Sequence, residues 1–371
     1  MHLGLIIYEN LNILTGGYLY NKILVAYLRQ MGHQVDIISL PKRRYARNML
    51  DSLSHRLRSG LAKSQYDILL QDGLNHPSLF RINGWLQKTE NFQIVAIVHQ
   101  VLCIQPRSRL LNGFYRAIEQ RYLQSVDAFI YNSQTTRRAV ELLVDRPRPS
   151  IVASPAGDRL GHLKSNNLIE SRAHESGPLR LIFVGNLLPH KGLAPLIKGL
   201  SNLSPHIYHL QVIGSLTMDR TYVRHVKKLM EDTKISPQVQ LTGPKDGAEL
   251  AQLLAQSHLF IMPYSHEGFG MAHLEAMAFG LPVVGSSDGA VNEFIKQGKN
   301  GFLIKPHDFK SVNKCLADLD HDRQRLSKMS HAALRTFNER PQWIDTVESI
   351  HGFITGVAQA RIVARKRNLA D

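Results

Sequence analysis

Glu267 and Glu275 are two carboxylates with seven residues between them in the segment PYSHEGFGMAHLEAMAFGLPVV, and Gly268 and Gly270 fall in the loop that separates them. The apolar run LFIMPY ahead of them reads as a strand and the residues from Met271 to Phe279 read as a helix. Glu267 is thereby expected at a strand-to-helix turn and Glu275 on the first turns of the helix. Small residues in such a turn let backbone N–H groups approach a ligand closely, and a helix N-terminus adds a field that favours phosphate. Glu267 would accept hydrogen bonds from sugar hydroxyls, while Glu275, one turn beyond Met271 on the same face, would accept from a ribose diol. A loop and a solvated helix would use the same residue types, since most glutamates lie on surfaces.

The pattern extends in both directions. Past the helix come Gly280 and Pro282, a strand end from Val283 to Ser286, a turn at Gly289, Glu293, and a Gly298 to Gly301 turn before a last short strand. Earlier, LRLIFVGNLLPHKGLAPLI at 179–197 reads as a buried strand, a turn at Gly185 and a helix with Lys191 near its start. A lysine and a helix N-terminus in that geometry neutralise a diphosphate, although a lysine after a turn is also common at a solvated helix end.

The block from Pro263 to Pro306, about forty residues in this order, closely resembles the core of the nucleotide-sugar glycosyltransferases of family 4. The resemblance implies an α/β chain of GT-B architecture, two doubly wound Rossmann-like domains facing across a cleft, that retains anomeric configuration. It implies a UDP- or GDP-sugar donor against the carboxyl-terminal domain. Glu275 would contact the ribose, and Lys191, beside the Gly185 turn, the diphosphate. Glu267 with Gly268, Phe269, Gly270 and Met271 would hold the sugar. The family usually has a basic residue directly after the glycine of the first block, where this chain has Asn186, so that phosphate contact has no cation here. Gly17 would belong to the first glycine-rich loop, and His99 would reach the transferred sugar, completing a catalytic set with Glu267 and Lys191. Retention in the family is attributed to attack on the face from which the diphosphate departs. The leaving group then takes the acceptor's proton, and no protein base is invoked. No cofactor and no metal are expected, because no metal-binding cluster is apparent and basic groups can stabilise the departing diphosphate.

Composition sets the frame for that chemistry. With 371 residues the chain suits two domains rather than one core. A hydrophobic fraction of 43% and a charged fraction of 20% describe a globular chain, not a disordered one. No apolar run is long enough for a transmembrane helix. The start, MHLGLIIYEN, reads as a first strand rather than a signal peptide. Cys103 and Cys315, far apart, point to a reducing compartment, hence a cytoplasmic location. Strand-like runs recur at 3–7, 35–38, 67–70, 94–98, 128–131 and 151–153, then at 181–184, 209–213, 239–241, 259–262, 282–285 and 302–304. Their alternation with helices predicts two parallel sheets. The amino-terminal domain is expected at 1–170, the carboxyl-terminal one at 178–349, the polar stretch 158–177 linking them, and a last helix at 350–371 packing back on the first domain.

In the first half, Thr15, Gly16 and Gly17 follow the first strand, and His99 ends the fourth at the carboxyl edge where open sheets place ligands. Glycine pairs commonly mean only a turn, and a strand-end histidine is often a structural hydrogen-bonder. Asp72 and His76 lie beyond the third strand, facing an acceptor or serving as turn and capping residues.

The net charge of +15 asks for a partner. Seven lysines and arginines lie between Lys42 and Lys63, among them Arg43, Arg44, Arg56 and Arg58, interleaved with Met49, Leu50, Leu53, Leu57 and Leu61. That reads as one basic amphipathic segment for an anionic membrane surface, extended by Arg107 to Arg121, or as a stripe on the protein's own core. Nucleic acid is not expected, since no nucleic-acid motif accompanies the charge. The function expected is hexosyl transfer to a hydroxyl of a lipid-linked sugar, glycolipid or polysaccharide precursor at the cytoplasmic face of a membrane. The alternatives are transfer to a soluble small molecule and a catalytically silent membrane-associated scaffold of the same fold.

Overall fold

The structure is a computed structural model that describes residues 1–13, 15–87, 92–105, 108–163, 165–264 and 267–368; Arg107 and residues 369–371 of the expected last helix lie outside them. The chain forms two units, Met1–Pro155 with Ile344–Asp371, and Ala156–Trp343.

The first unit is built on six parallel strands, β1 (His2–Tyr8), β2 (Gln34–Leu40), β3 (Ile68–Asp72), β4 (Gln93–Val98), β5 (Ala128–Tyr131) and β6 (Ser150–Val152). The runs LIIY, ILL and IVAIV are apolar without alternation because helices cover both faces, so every position of these runs is buried. The strand order is β2-β1-β3-β4-β5-β6. The direction of winding reverses between β1 and β3, which leaves a crevice at their carboxyl ends.

The second unit repeats the plan with β7 (Leu179–Val184), β8 (Tyr208–Ile213), β9 (Val239–Gly243), β10 (Leu259–Met262), β11 (Val283–Ser286) and β12 (Gly301–Ile304). Their order, β12-β11-β10-β7-β8-β9, places the reversal between β7 and β10. Gly214, after β8, has φ +155°, and a Cβ there would collide with the Gly185 carbonyl oxygen. Glycine is therefore required where the ends of β7 and β8 converge.

The stretch expected as a linker is part of the second unit. Asp158–Leu160 forms a 3-10 turn and Asn166–His174 a helix, with Ile169, Arg172 and Ala173 buried. Ser165, Asn166 and Asn167 read as loop residues because the same types start helices. The buried i, i+3, i+4 face behind them decides the matter. The Arg172 guanidinium donates to the carbonyls of Ala255 at 2.9 Å, Phe279 at 3.1 Å and Gly280 at 2.9 Å. Burial pushes its pKa down to about 10, so it stays charged at neutral pH.

The last helix, Trp343–Asn368, belongs to the first unit from Ile344 onward. Val347, Ile350 and Ile354 are buried, Thr346 Oγ1 donates to Ser154 O at 2.8 Å, and the His351 and His33 rings meet at 2.8 Å between their Nε2 atoms. The basic segment is two helices, Tyr45–Asp51 and His55–Ala62, not one, with Ser54 Oγ capping the second by accepting from Leu57 N at 3.2 Å. The break rotates the stripe apart: Met49, Leu57 and Leu61 face the core, while Leu50 and Leu53 are 65% and 63% exposed.

Phe279 and Gly280 end the helix that carries Glu275, so Arg172 fixes that helix from behind. Arg172→Ala should lower the unfolding free energy of the protein by about 3 kcal/mol, the scale for losing a charged donor shared among buried carbonyls. Urea denaturation followed by circular dichroism measures it; a loss below ~1 kcal/mol would mean that water serves those carbonyls equally well.

Candidate functional site

In the second unit Glu267 follows β10 and Lys191 follows β7, the two strands flanking the winding reversal. The backbone of Glu267 is held by a parallel bridge to Gly289 and by Ala290 N donating to its carbonyl at 3.0 Å. Gly289 has φ +147°, and a Cβ there would come within 2.9 Å of the Glu267 carbonyl oxygen, so no other residue type fits this approach. Lys191 Nζ donates to Glu267 Oε1 at 2.6 Å, both side chains being partly buried. Lys191 ends the 3-10 turn Pro189–Lys191, and Gly192 (φ +74°) precedes the helix Leu193–Leu200. The lysine was expected on that helix; a left-handed glycine starts the helix two residues later. Its stem runs past Gly185, whose Cβ position lies 3.9 Å from Lys191 Cδ. Asn186 spends its Oδ1 accepting from Ser215 N at 3.1 Å, tying the turns after β7 and β8 together.

Gly270 (φ +94°) opens the helix Met271–Ala278, and a Cβ there would collide with Val291 Cγ1. The amides of Met271 and Ala272, in the first turn, have no carbonyl of their own helix to donate to. Gly268 lies between Glu267 and Phe269. The Phe269 ring is buried on Phe294, ring centroids 5.6 Å apart, with the Arg340 guanidinium 5.6 Å from its centre, so only the residue's backbone is left for the contact expected of it.

Glu275 is 6% exposed, and Arg159 Nε donates to its Oε1 at 2.8 Å. Burial pushes the Glu275 carboxyl above the ordinary carboxylate range and Arg159 pulls it back. Arg159 is brought there by Gly157, where a Cβ would come 2.9 Å from the Leu274 backbone, so that segment lies directly on the helix. His273, fully buried on the same helix, is pushed down to about 4 by burial and is neutral.

The first unit holds a separate cluster. Gly17, in the first turn of the helix Gly16–Gln30, leaves room for His99, whose Cδ2 would be 3.1 Å from a Cβ. His99, just after β4, is buried, and its Nε2 lies 3.3 Å from Asn21 Oδ1. Burial lowers its pKa against the opposing effect of Asp72. Asp72 and His76, expected either on the acceptor side or as turn and capping residues, are both buried. Asp72 accepts from Leu74 N at 2.9 Å and from Asn21 Nδ2 at 2.8 Å. His76, fully buried, bonds Gly73 O at 3.0 Å and Tyr45 Oη at 2.9 Å. Both have the hydrogen bonds of turn and network residues, the second of the two readings.

Of the four arginines assigned to a membrane, Arg43, Arg44 and Arg56 are exposed, Arg43 pairing with Asp51 at 2.8 Å, whereas Arg58 is half-buried over the Trp85 ring at 4.7 Å. Among the described residues no group of three or more His, Cys, Asp or Glu is placed to hold a metal ion, and no helix is long and apolar enough to cross a membrane. Arg159 and Asn21 were missed by sequence reading. Arg159 lies 116 positions from its partner, and no local pattern announces it.

Two doubly wound six-stranded units, one with a lysine and two glutamates around its winding reversal, make this a protein of the GT-B class. Residues 16–155 match the family model Glycosyltransferase Family 4 and residues 164–336 the model Glycosyl transferases group 1; the chain belongs to glycosyltransferase family 4. It is 26% identical over 266 residues, 68% of the chain, to a D-inositol 3-phosphate glycosyltransferase of Stackebrandtia nassauensis. That match spans 59% of the relative's own length, less than two thirds. Sucrose-phosphate synthase from Thermosynechococcus elongatus shares the fold at a TM-score of 0.81 and 16% identity, covering 97% of this chain and 99% of that one. Anabaena HepE, solved in complex with UDP and glucose, gives a TM-score of 0.76 at 17% identity, covering 96% of this chain and all of that one, 100%.

The raised pKa of Glu275 has a stability consequence. A carboxyl whose folded pKa lies above its unfolded value supports the fold below the ordinary carboxylate range, and that support is lost as pH rises through the folded pKa. Above the folded pKa the buried charge is thus a cost that Glu275→Gln removes, leaving Arg159 with access to solvent. The variant should melt no lower than wild type at pH 7 and lose that advantage on acidification, while its affinity for nucleoside diphosphate falls. Calorimetry at several pH values checks it; a variant less stable at pH 7 than at pH 4 relative to wild type would reverse the sign.

Proposed function

We propose that the chain is a retaining hexosyltransferase that takes a hexose from a UDP- or GDP-sugar. Its acceptor on this reading is a hydroxyl of a lipid-linked sugar, glycolipid or polysaccharide precursor. The observation that carries the reading is the 2.6 Å pair of Lys191 and Glu267 at the β7/β10 reversal, with Glu275 on the neighbouring helix. On this reading Lys191 and the first-turn amides of the Met271 helix hold the diphosphate, Glu275 the ribose and Glu267 the sugar. His99 is assigned to the sugar by the family resemblance. As the glycosidic bond breaks, negative charge grows on the diphosphate, and Lys191 stabilises it there. The same-face route lets that diphosphate accept the proton of the incoming hydroxyl. The proposal needs no resident cofactor and no metal. HepE, bound to UDP in its crystal, supports a nucleotide-sugar donor by fold likeness.

Membrane association belongs to the same proposal, with a revised surface. Leu110 is 91% exposed, Leu111 and Phe114 are 44% and 45% exposed, and Tyr45 stacks on Tyr115 at 4.0 Å beside them. The exposed leucines of 50 and 53 and the cations Arg44 and Arg56 come from the segment led by Tyr45. Apolar side chains that no core claims, bordered by arginines, suit the interface of an anionic bilayer.

A thermal-shift and hydrolysis screen of UDP-, GDP- and ADP-sugars, run with and without EDTA, tests the donor. A ligand at 100 times its dissociation constant stabilises by about 2.7 kcal/mol. Lys191→Ala should lower turnover about a hundredfold, the usual loss for one charge-stabilising group, and weaken nucleoside-diphosphate binding. Unchanged kinetics would remove Lys191 from the site, and activity abolished by EDTA and restored by a divalent ion would overturn the metal-free reaction.

For the membrane, Arg44→Ser with Arg56→Ser should weaken binding to phosphatidylserine vesicles by about thirtyfold at low salt, at about 1 kcal/mol per cation. Leu50→Ser with Leu110→Ser should weaken it at every salt concentration, because apolar insertion is not screened. Flotation identical to wild type for both pairs would move the acceptor toward a soluble molecule.

A further inference from the structure

The amide of Asn21 is fully buried in the helix Gly16–Gln30 and has no role in the donor site described above. A buried amide must place both ends against partners, and the identity of those partners fixes its orientation. Nδ2 points at Asp72 Oδ2 at 2.8 Å, and an amide nitrogen can only donate. The other Asp72 oxygen is taken by Leu74 N at 2.9 Å. Asn21 Oδ1 is therefore committed as an acceptor, and the group it faces is His99 Nε2 at 3.3 Å. The same ring nitrogen lies 3.9 Å from Asp72 Oδ2. Two oxygens with lone pairs thus face Nε2, and a bare nitrogen there would meet only repulsion.

We propose that Asn21, itself anchored by Asp72, is a positioning residue that fixes His99 as the Nε2–H tautomer and leaves Nδ1 bare as a hydrogen-bond acceptor. The ring has little freedom to escape this assignment. Gly17 closes on its Cδ2 side, where even a Cβ would come to 3.1 Å. The Tyr20 ring stands edge-on to it at 5.1 Å, its hydroxyl donating to Ala153 O at 2.8 Å. Asn132 Nδ2 holds the His99 carbonyl at 2.8 Å. Rotating the ring by half a turn would set a carbon against Asn21 Oδ1 and lose the only hydrogen bond the buried ring makes with a side chain among the described residues. With burial favouring the uncharged imidazole, one proton is available and Nε2 holds it.

The consequence rests on the reading of His99 as a group beside the sugar. A bare Nδ1 recognises a hydroxyl that donates and rejects an oxygen that can only accept. A donor sugar methylated at the contacted hydroxyl should lose turnover, whereas a protonated Nδ1 would tolerate the ether.

The experiment uses the intact protein labelled with 15N-histidine, the His99 resonances being assigned by difference from His99→Gln. Two-bond 15N–1H spectra at neutral pH should show His99 Nε2 as a protonated, pyrrole-type nitrogen and Nδ1 as an unprotonated, pyridine-type one. This wild-type measurement stands whether or not any variant folds, and a proton found on Nδ1 would overturn the proposal. In Asn21→Leu, the Nε2–H population should drop into a mixture of tautomers, with donor turnover falling about tenfold, the value of one buried hydrogen bond, and nucleoside-diphosphate affinity unchanged. An unaltered tautomer in that variant would also overturn it. A shifted tautomer with unaltered turnover would uphold the role of Asn21 and remove His99 from the sugar, so the two readings fail separately.

Discussion

A parallel strand cannot turn directly onto its neighbour; it needs a crossover helix, and a sheet covered on both faces must at some point change the side on which its crossovers run. That constraint is met once in each unit, between β1 and β3 and between β7 and β10. At those two places adjacent loops diverge, and the chain has open strand ends to spend on chemistry. Lys191, Glu267 and Gly17 follow strands that border a reversal, and Asp72 ends one. The remaining sheet supplies rigidity: β-branched runs buried on both faces hold the loop bases still enough for a lysine and a glutamate to meet.

Electrostatics in the second unit turn on two carboxylates, each paired with a cation. Lys191 pairs with Glu267 and Arg159 with Glu275, and Glu275 is deeply buried. Removing a carboxylate from water costs several kcal/mol, and a single charged hydrogen bond returns only part of it. At Glu275, burial therefore works against the charge that Arg159 supports. On the proposed reading, a bound diphosphate and Glu267 would draw on the same Lys191 ammonium. In the first unit the polar groups are arranged differently, as a chain of donors and acceptors from Leu74 through Asp72 and Asn21 to His99, in which each bond orients the next.

Strands and glycine turns were legible in the sequence because their signals are local. Every expected strand run overlaps an observed strand, since apolar β-branched runs of this length have few other uses. The glutamate loop was legible for a similar reason: Gly270 and Gly289 are demanded by backbone angles that other residues rarely adopt. What failed depends on distant partners. The Ser165 to Asn167 stretch looked like a linker because the burial of Ile169 and Arg172 comes from carbonyls and side chains some hundred residues away. Arg159 is an unremarkable arginine until Gly157 presses its segment onto the helix of Glu275. Asp72 and His76 have the residue types of a binding site and the burial of a network. The basic stripe held the right composition, but Ser52 to Ser54 interrupt it, so half its leucines turn inward.

The first unit is made of two pieces of chain with the whole second unit between them. Ile344 to Asn368 cover it with Val347, Ile350 and Ile354, and Thr346 bonds back to Ser154. During synthesis the amino-terminal piece emerges early but lacks this helix until the second unit has been translated. The second unit, being continuous, can complete its own core first. The apolar strip that awaits the helix is exposed throughout that interval, and its closure joins residues nearly two hundred positions apart, a long-range step that folds slowly. The order of maturation is thus the reverse of the order of synthesis: the half made first is the half finished last.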